Sequence, residues 1–259
     1  MPRGAVRQRA PLLLVSCVVI ACHRGPPRDY QVLAQWPHDT SAYTQGLLLA
    51  GGQLFESDGE YGVSRVRRVD PRTGRTLAAT PLAANRFGEG LALLRGKLYQ
   101  LTWKAQVGYV YDASSLVRTD SFSYAGEGWG LTTDGTSLIM SNGGPTLQWL
   151  DPTTFRVTRV DTVRDGTSPV PMLNELEYVD GAVYANVYQS DWIIRIDART
   201  GAVLQWYDLS GILPASRRTA RTDVLNGIAY NPADSTFLVT GKRWPLLFTV
   251  RWRDGARPN

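Results

Sequence analysis

The residue types that most often carry metal or nucleophile chemistry are scarce in this 259-residue chain, which has two cysteines, Cys17 and Cys22, and two histidines, His23 and His38. Both cysteines fall within the first 22 residues, so no disulfide can form in the remaining 237. With no HExxH and no cysteine cluster, a His- or Cys-ligated zinc site is nearly excluded. Long apolar runs are missing too. The longest, Pro11 to Ala21, covers 11 residues, and a membrane-spanning helix needs about 20. An excess of one charge is also lacking: once Arg3, Arg7 and Arg9 are set aside, 25 basic face 23 acidic residues. A basic patch for nucleic acid is therefore not indicated.

The apolar run follows three arginines and ends at Cys22, the arrangement of a secretory signal. Val19-Ile20-Ala21-Cys22 resembles a bacterial lipobox, in which cleavage precedes the cysteine and its thiol takes a lipid; an ordinary signal cut nearby is the other reading. The expected division is residues 1–22 as leader and 23–259 as one domain. Such a protein is exported, periplasmic or in the cell envelope, and touches a membrane only through the lipid on Cys22. A closed domain of this size buries a full core without disulfides, and a monomer is expected.

What is present is a repeat. Gln45-Gly46-Leu47, Glu89-Gly90-Leu91, Trp129-Gly130-Leu131, Asn174-Glu175-Leu176 and Asn226-Gly227-Ile228 recur at spacings of 44, 40, 45 and 52 residues. Each copy opens an apolar run, then a turn, a second β-rich run and a third run; in four copies the third ends at an Asp-led turn (DPRTG, DASS, DPTT, DART) before a fourth run. Units of this period with four strands predict a β-propeller of five blades. A β-sandwich accommodates short regular strands but not the recurring Gly. The fifth copy lacks a fourth strand, and Tyr30 to Trp36 precedes the first copy with no blade of its own. The expected ring is closed by that N-terminal strand. Leu213 to Asp223, carrying Arg217, Arg218 and Arg221, reads as a solvated loop that lengthens the last spacing.

In an antiparallel blade the start of the innermost strand and the end of the second lie at the same end of the ring. The first set is Gln45, Glu89, Trp129, Asn174 and Asn226; the second is Gly59, Trp103, Gly143, Tyr188 and Lys242. Both are expected to converge on one mouth of the channel. Each set holds four residue types in its five copies, and that variation marks the mouth as a binding-site candidate with apolar walls and a few polar groups. Structural readings stand beside the functional ones: inter-blade packing for Trp103 and Trp129, turn capping for Asn174 and Asn226, a surface lysine beside Trp244 for Lys242, a salt-bridge acid for Glu89. Neither His occupies these positions, so no Ser-His-Asp arrangement is credible, and Glu89 is the main candidate for proton transfer.

The motifs YTQGL, FGEGLALL with KLYQLTWK, GEGWGLT, LNELEY with YANVY, and VLNGIAY with VTGKRWP resemble the plant-type glutaminyl-peptide cyclotransferases, also found in bacteria, from about Tyr43 to Phe248. The resemblance implies a five-bladed propeller, unrelated to the zinc-dependent animal cyclases, that converts the N-terminal Gln of peptides or proteins to pyroglutamate with release of ammonia. It implies Glu89 as catalytic acid/base and Gln45, Trp103, Trp129, Asn174 and Lys242 as pocket residues. Two positions depart from the family pattern: the aromatic before Gln45 is Tyr43 rather than Phe, and the usual Trp of ANVW is Tyr188.

The expected chemistry is intramolecular attack of the α-amine on the side-chain amide, with Glu89 moving the proton, Gln45 and Asn174 orienting the amide, Trp103 and Trp129 excluding water, and Lys242 polarising the pocket or pairing with Glu89. No catalytic metal is expected, though a structural calcium is compatible with the ring. Two rivals come from other classes: a propeller that binds a peptide without chemistry, and a metal-dependent hydrolase or lactonase, which needs several acids where the mouth offers one.

Overall fold

The computed structural model describes Met1 and residues 29–253; the leader, with Cys22 and His23, lies outside the described residues. Five four-stranded antiparallel sheets make up the ring, and no α-helix occurs among the described residues. Blades 1 to 4 each use four consecutive strands: Thr44–Ala50 to Thr76–Pro81, Gly88–Leu94 to Arg118–Ser123, Leu131–Thr133 to Val157–Thr162, and Leu173–Val179 to Val203–Asp208. Blade 5 takes Leu225–Asn231, Thr236–Gly241 and Leu246–Trp252 from the C-terminal end and its outermost strand, Tyr30–Pro37, from the N-terminal end. Pairing of Tyr30 with Trp252 and Pro37 with Leu246 closes the ring, as the unpaired seven-residue run predicts.

The Asp-led turns have a local cause. Asp70, Asp112, Asp151 and Asp197 each accept backbone N–H groups two or three residues ahead, as when Asp151 Oδ1 takes those of Thr153 at 2.9 Å and Thr154 at 2.7 Å. Such side-chain turns reverse the chain without a helix. Blade 5 needs none, because its fourth strand arrives from elsewhere.

The apolar core is divided among the five inter-blade interfaces. Leu48, Phe55 and Val66 of blade 1 pack on Leu91 and Leu98 of blade 2, and Leu47 and Leu54 meet Leu238 and Leu247 of blade 5. Tyr99 and Leu101 meet Leu138 and Met140, Ile139 and Leu147 meet Val183 and Ile194, and Tyr184 and Ile193 meet Phe237 and Val239. Each blade thus buries both faces, which explains why its inner strands are almost continuously apolar.

The recurring Gly is where neighbouring first strands come closest. A Cβ on Gly46 would lie 2.6 Å from the Leu91 backbone nitrogen, and Gly90 and Gly130 meet the next blade's backbone in the same way. Blade 4 carries Glu175 at this position. Its buried carboxylate crosses the ring interior, accepting the N–H of Leu47 at 3.1 Å and of Ile228 at 2.8 Å, so one long acid ties three first strands together.

A short ribbon, Arg164–Asp165 with Ser168–Pro169, is an addition that the repeat does not signal. The segment after Leu213 contains a single 3-10 turn, Ala215–Arg217, and is exposed through Arg221 as expected for a solvated loop, but its ends are not: Leu213 is buried, and Asp223 returns to the mouth of the ring.

Candidate active site

Four of the five first strands open with a β-bulge. The register skips between Thr44 and Gly46, Gly88 and Leu91, Leu173 and Leu176, and Leu225 and Ile228. Gln45, Glu89, Asn174 and Asn226 lie inside these breaks, where the extra residue leaves the ladder and its side chain is re-aimed. Trp103, Tyr188 and Lys242 each follow directly on a second strand, Lys97–Thr102, Ala182–Val187 and Thr236–Gly241. The two sets meet. A cavity of about 200 Å³ is lined by Tyr43, Gln45, Phe87, Glu89, Trp103, Trp129, Asn174, Tyr188 and Lys242. That is below the ~300–1,000 Å³ typical of sites for drug-sized ligands, and suits one residue at the end of a chain.

Every residue singled out from the sequence for this site lines the cavity. Three further positions grouped with them do not. Asn226 is fully buried behind Gln45, donating its amide to Thr44 O at 2.9 Å and to Gln45 Oε1 at 3.2 Å. Gly59 and Gly143 sit beneath rings: a Cβ would strike Phe87 at the first and Trp129, 2.6 Å away, at the second. In these two blades the missing side chain makes room for an aromatic wall.

Glu89 is buried and held from one side, with Gln45 Nε2 donating to its Oε1 at 3.0 Å. Burial pushes its carboxyl well above the ordinary range; the Lys242 ammonium opposes that rise and the Glu127 carboxylate adds to it. Lys242 is shifted the other way. Burial lowers it, against Glu89 and Asp223. Low dielectric thus brings an acid and a base that are normally far apart in pKa closer together. Lys242 is not ion-paired with Glu89 at salt-bridge distance; its Nζ lies 4.8 Å from the ring centres of both Tyr43 and Tyr188. Cation–π contact with two rings replaces an ion pair. Asn174 is buried, and its Oδ1 has no hydrogen-bond partner. A buried acceptor left open in this way is costly unless something enters to donate to it.

The walls are aromatic edges. Phe87 meets Tyr43 edge-on with ring centres 6.1 Å apart and Trp103 at 5.6 Å, while Trp129 and Tyr188 are 5.4 Å apart at 85°. Tyr43 donates its hydroxyl to Asp223 Oδ2 at 2.9 Å, and burial with that acid pushes the phenol upward. Tyr43 is therefore tied to the loop before blade 5.

The model of the glutamine cyclotransferase family matches residues 13–252. The chain belongs to that family. A glutaminyl-peptide cyclotransferase of Arabidopsis thaliana is 43% identical over 234 residues, covering 88% of this chain and 72% of the plant protein. The crystal structure of Myxococcus xanthus glutaminyl cyclase is similar with a TM-score of 0.82 and 35% identity, over 87% of this chain and 97% of that one.

For a glutamine cyclotransferase, three residues of the mouth escaped the sequence reading: Phe87, Glu127 and Asp223. A signal existed for two of them. The position two before each first-strand residue holds Tyr43, Phe87 and Glu127 in blades 1 to 3, so the step from Gln45 back to Tyr43 extends to the other blades. Glu89 is the one acid among the residues lining the cavity, and Glu127 adds a carboxylate beside them, accepting the indole N–H of Trp103 at 2.7 Å and of Trp129 at 3.0 Å through Oε2. Asp223 lies in a loop outside the repeat and gave no signal. His38 is buried in blade 1's closure, with Nε2 at 3.1 Å from Glu56 and Nδ1 at 2.8 Å from Trp244 O, so both ring nitrogens are used away from the cavity. Among the described residues no three or more His, Cys, Asp or Glu side chains are grouped as metal ligands.

Proposed function

We propose that this cavity is where an N-terminal glutamine of a peptide or protein is cyclised to pyroglutamate, with Glu89 carrying the proton. The observation that supports it most is a buried carboxyl, raised in pKa, in a one-residue pocket whose Asn174 Oδ1 is open. The α-amine nitrogen attacks the side-chain amide carbon, forming a C–N bond in a five-membered ring and a tetrahedral centre. Glu89, as carboxylate, accepts the proton that the amine sheds and returns it to the amide nitrogen; the old C–N bond breaks and ammonia leaves. No water or oxidant is consumed. An α-amine with pKa about 7.7–8.0 exchanges protons most readily with a group raised toward that range. Gln45 orients the carboxyl, Lys242 opposes negative charge on the carbonyl oxygen as it develops, and Asn174 receives the substrate N–H. Because attack is intramolecular, the pocket's task is to fold the side chain and exclude water.

The same reading includes an exported protein with Cys22 as lipidated N-terminus and a reaction without a catalytic metal. Its support is the VIAC tetrapeptide and the scarcity of His and Cys. The deciding experiment is ammonia release from a Gln-initiated dipeptide, with an Asn-initiated one as control. Release from the first alone is expected; no release from either overturns the assignment. Mass analysis of the N-terminus from the native host tests Cys22, and an unmodified N-terminus downstream of it rules the anchor out.

A further inference from the structure

The Gly126–Gly130 segment, GEGWG, contributes Trp129 to the wall, but its acid has no part in the scheme above. Glu127 stands in the loop that leads into blade 3. Gly126 before it adopts a φ of +80°, and Gly128 after it packs against the Tyr124 ring and donates its N–H to Trp103 O at 3.0 Å. The loop of blade 3 is therefore latched to the end of blade 2's second strand. One carboxylate oxygen, Oε2, then receives both indoles of the cavity wall, Trp103 at 2.7 Å and Trp129 at 3.0 Å. The other oxygen, Oε1, faces Lys104 at 3.8 Å, whose ammonium lies 4.0 Å from the Trp103 ring centre. These two indoles come from different blades, and Glu127 is the group that fixes their separation.

We propose that Glu127 is a positioning residue of the cyclisation site: it clamps Trp103 and Trp129 to one oxygen and holds a negative charge at the mouth through which the substrate's α-ammonium enters. The proposal rests on the assignment of this cavity to glutamine cyclisation. A bond from N–H to a carboxylate is charge-assisted and about twice as strong as a neutral one, so both rings are held in the planes that shape the pocket. The charge is also felt at Glu89, which it raises. Glu89 is faced by Lys242 from blade 5, by Glu127 from the loop before blade 3, by the uncharged Gln45 from blade 1 and by the Tyr124 phenol, which the Glu89 charge in turn raises. Lys242 and Glu127 therefore act on Glu89 with opposite sign, the first favouring the carboxylate and the second its protonated form.

Two variants separate clamp from charge. Glu127→Gln keeps an oxygen for the indoles and removes the charge; the limb of the kcat/KM profile that belongs to Glu89 is expected to move to lower pH, and KM to rise about two- to fivefold as the entering ammonium loses its opposite charge. Glu127→Asp keeps the charge and shortens the reach; the profile is expected to stay while KM rises about 5- to 10-fold, the order expected for loss of a hydrogen bond from each wall. The substrate's own amine titrates identically in every case, so a difference between profiles belongs to the enzyme. The indole N–H resonances of Trp103 and Trp129, assigned with Trp103→Phe and Trp129→Phe, are expected to move in Glu127→Asp. An unmoved limb in Glu127→Gln overturns the role of the charge. Unchanged KM and resonances in Glu127→Asp overturn the clamp. If wild type releases no ammonia, the cyclisation reading falls, while the resonances still report on the clamp.

Discussion

Gln45 and Glu89 occupy the same place in consecutive blades, and the side-chain amide of the first donates to the carboxyl of the second across 3.0 Å. Behind them Asn226, the same place in blade 5, donates to Gln45 at 3.2 Å. Three copies of one repeat position thus form a chain of hydrogen bonds that ends on the one buried carboxyl in the cavity. Each copy has kept its bulge and changed its side chain, which is how a symmetric ring acquires an asymmetric site.

The first prediction follows from that chain. Glu89→Gln keeps the size of the side chain and an oxygen to accept from Gln45, but cannot take a proton. It should leave the fold intact and lower kcat by at least ~10²-fold, the usual contribution of positioned proton transfer. Peptide binding by this variant, measured by calorimetry, should persist. Retention of activity would sink the mechanism and favour a peptide-binding role for the cavity.

A related expectation concerns metals. Activity should survive exhaustive treatment with a chelator, since the proposed steps use only side chains. Thermal stability has to be followed in the same samples, because removal of a calcium ion bound for structural reasons would lower the melting temperature and activity together. Loss of activity at an unchanged melting temperature overturns the metal-free reaction.

Tyr188, where the motif resemblance implies Trp, stands beside Trp129, with its ring centre 4.8 Å from the Lys242 ammonium. Tyr188→Trp enlarges an apolar wall that contacts substrate and transition state alike, so KM for Gln peptides should fall, by roughly two- to fivefold, with little change in kcat. A large change in kcat instead would give the Tyr188 hydroxyl a part in the reaction.

The repeat makes the fold legible because each blade solves the same problem. An Asp must turn the chain, a Gly must let first strands meet, and apolar runs must fill two interfaces. Site positions were visible for the same reason, as places where a regular pattern changes from copy to copy. Glu175 was visible only as an exception to the Gly; what it does, binding Leu47 and Ile228 across the ring, depends on strands 128 and 53 residues away in sequence. The cluster of buried Arg67, Glu56 and Asp58 with half-buried Asp39, beside His38, was illegible altogether. Its members follow no period, and only ring closure brings His38 and Asp39 against blade 1.

Ring closure gives the next prediction. A chain beginning at Asp39 loses the strand Tyr30–Pro37, its ladder with Leu246–Trp252, the Trp36 indole bond to Thr249 at 3.0 Å, and the buried His38. The last blade is then left with three strands and an open edge. The truncated chain should fail to unfold cooperatively or should be insoluble. If it melts at the wild-type temperature, the N-terminal strand is not a structural part of the ring.

The last prediction is a pH dependence with a definite sign. Glu177 of blade 4 accepts the Tyr230 N–H of blade 5 at 2.7 Å, yet burial outweighs that bond and raises its carboxyl to about 8. Its pKa in the unfolded chain is near 4.3. The folded state therefore binds the proton more tightly, so this group's contribution to stability is fully present below about pH 4.3 and is lost as the pH rises toward 8. Glu177→Gln keeps an oxygen for Tyr230 and never ionises. Near pH 4 the variant and wild type should melt within a degree or two of one another; at pH 9 the variant should be the more stable by up to about 5 kcal/mol. Glu175, whose buried carboxyl the Glu177 charge raises further, loses that like-charged neighbour in the variant, which favours the variant at high pH in the same direction. A stability difference that is the same at pH 4 and pH 9 would show that the Glu177 carboxyl titrates in the fold as it does in the unfolded chain, and that the Tyr230 bond offsets its burial.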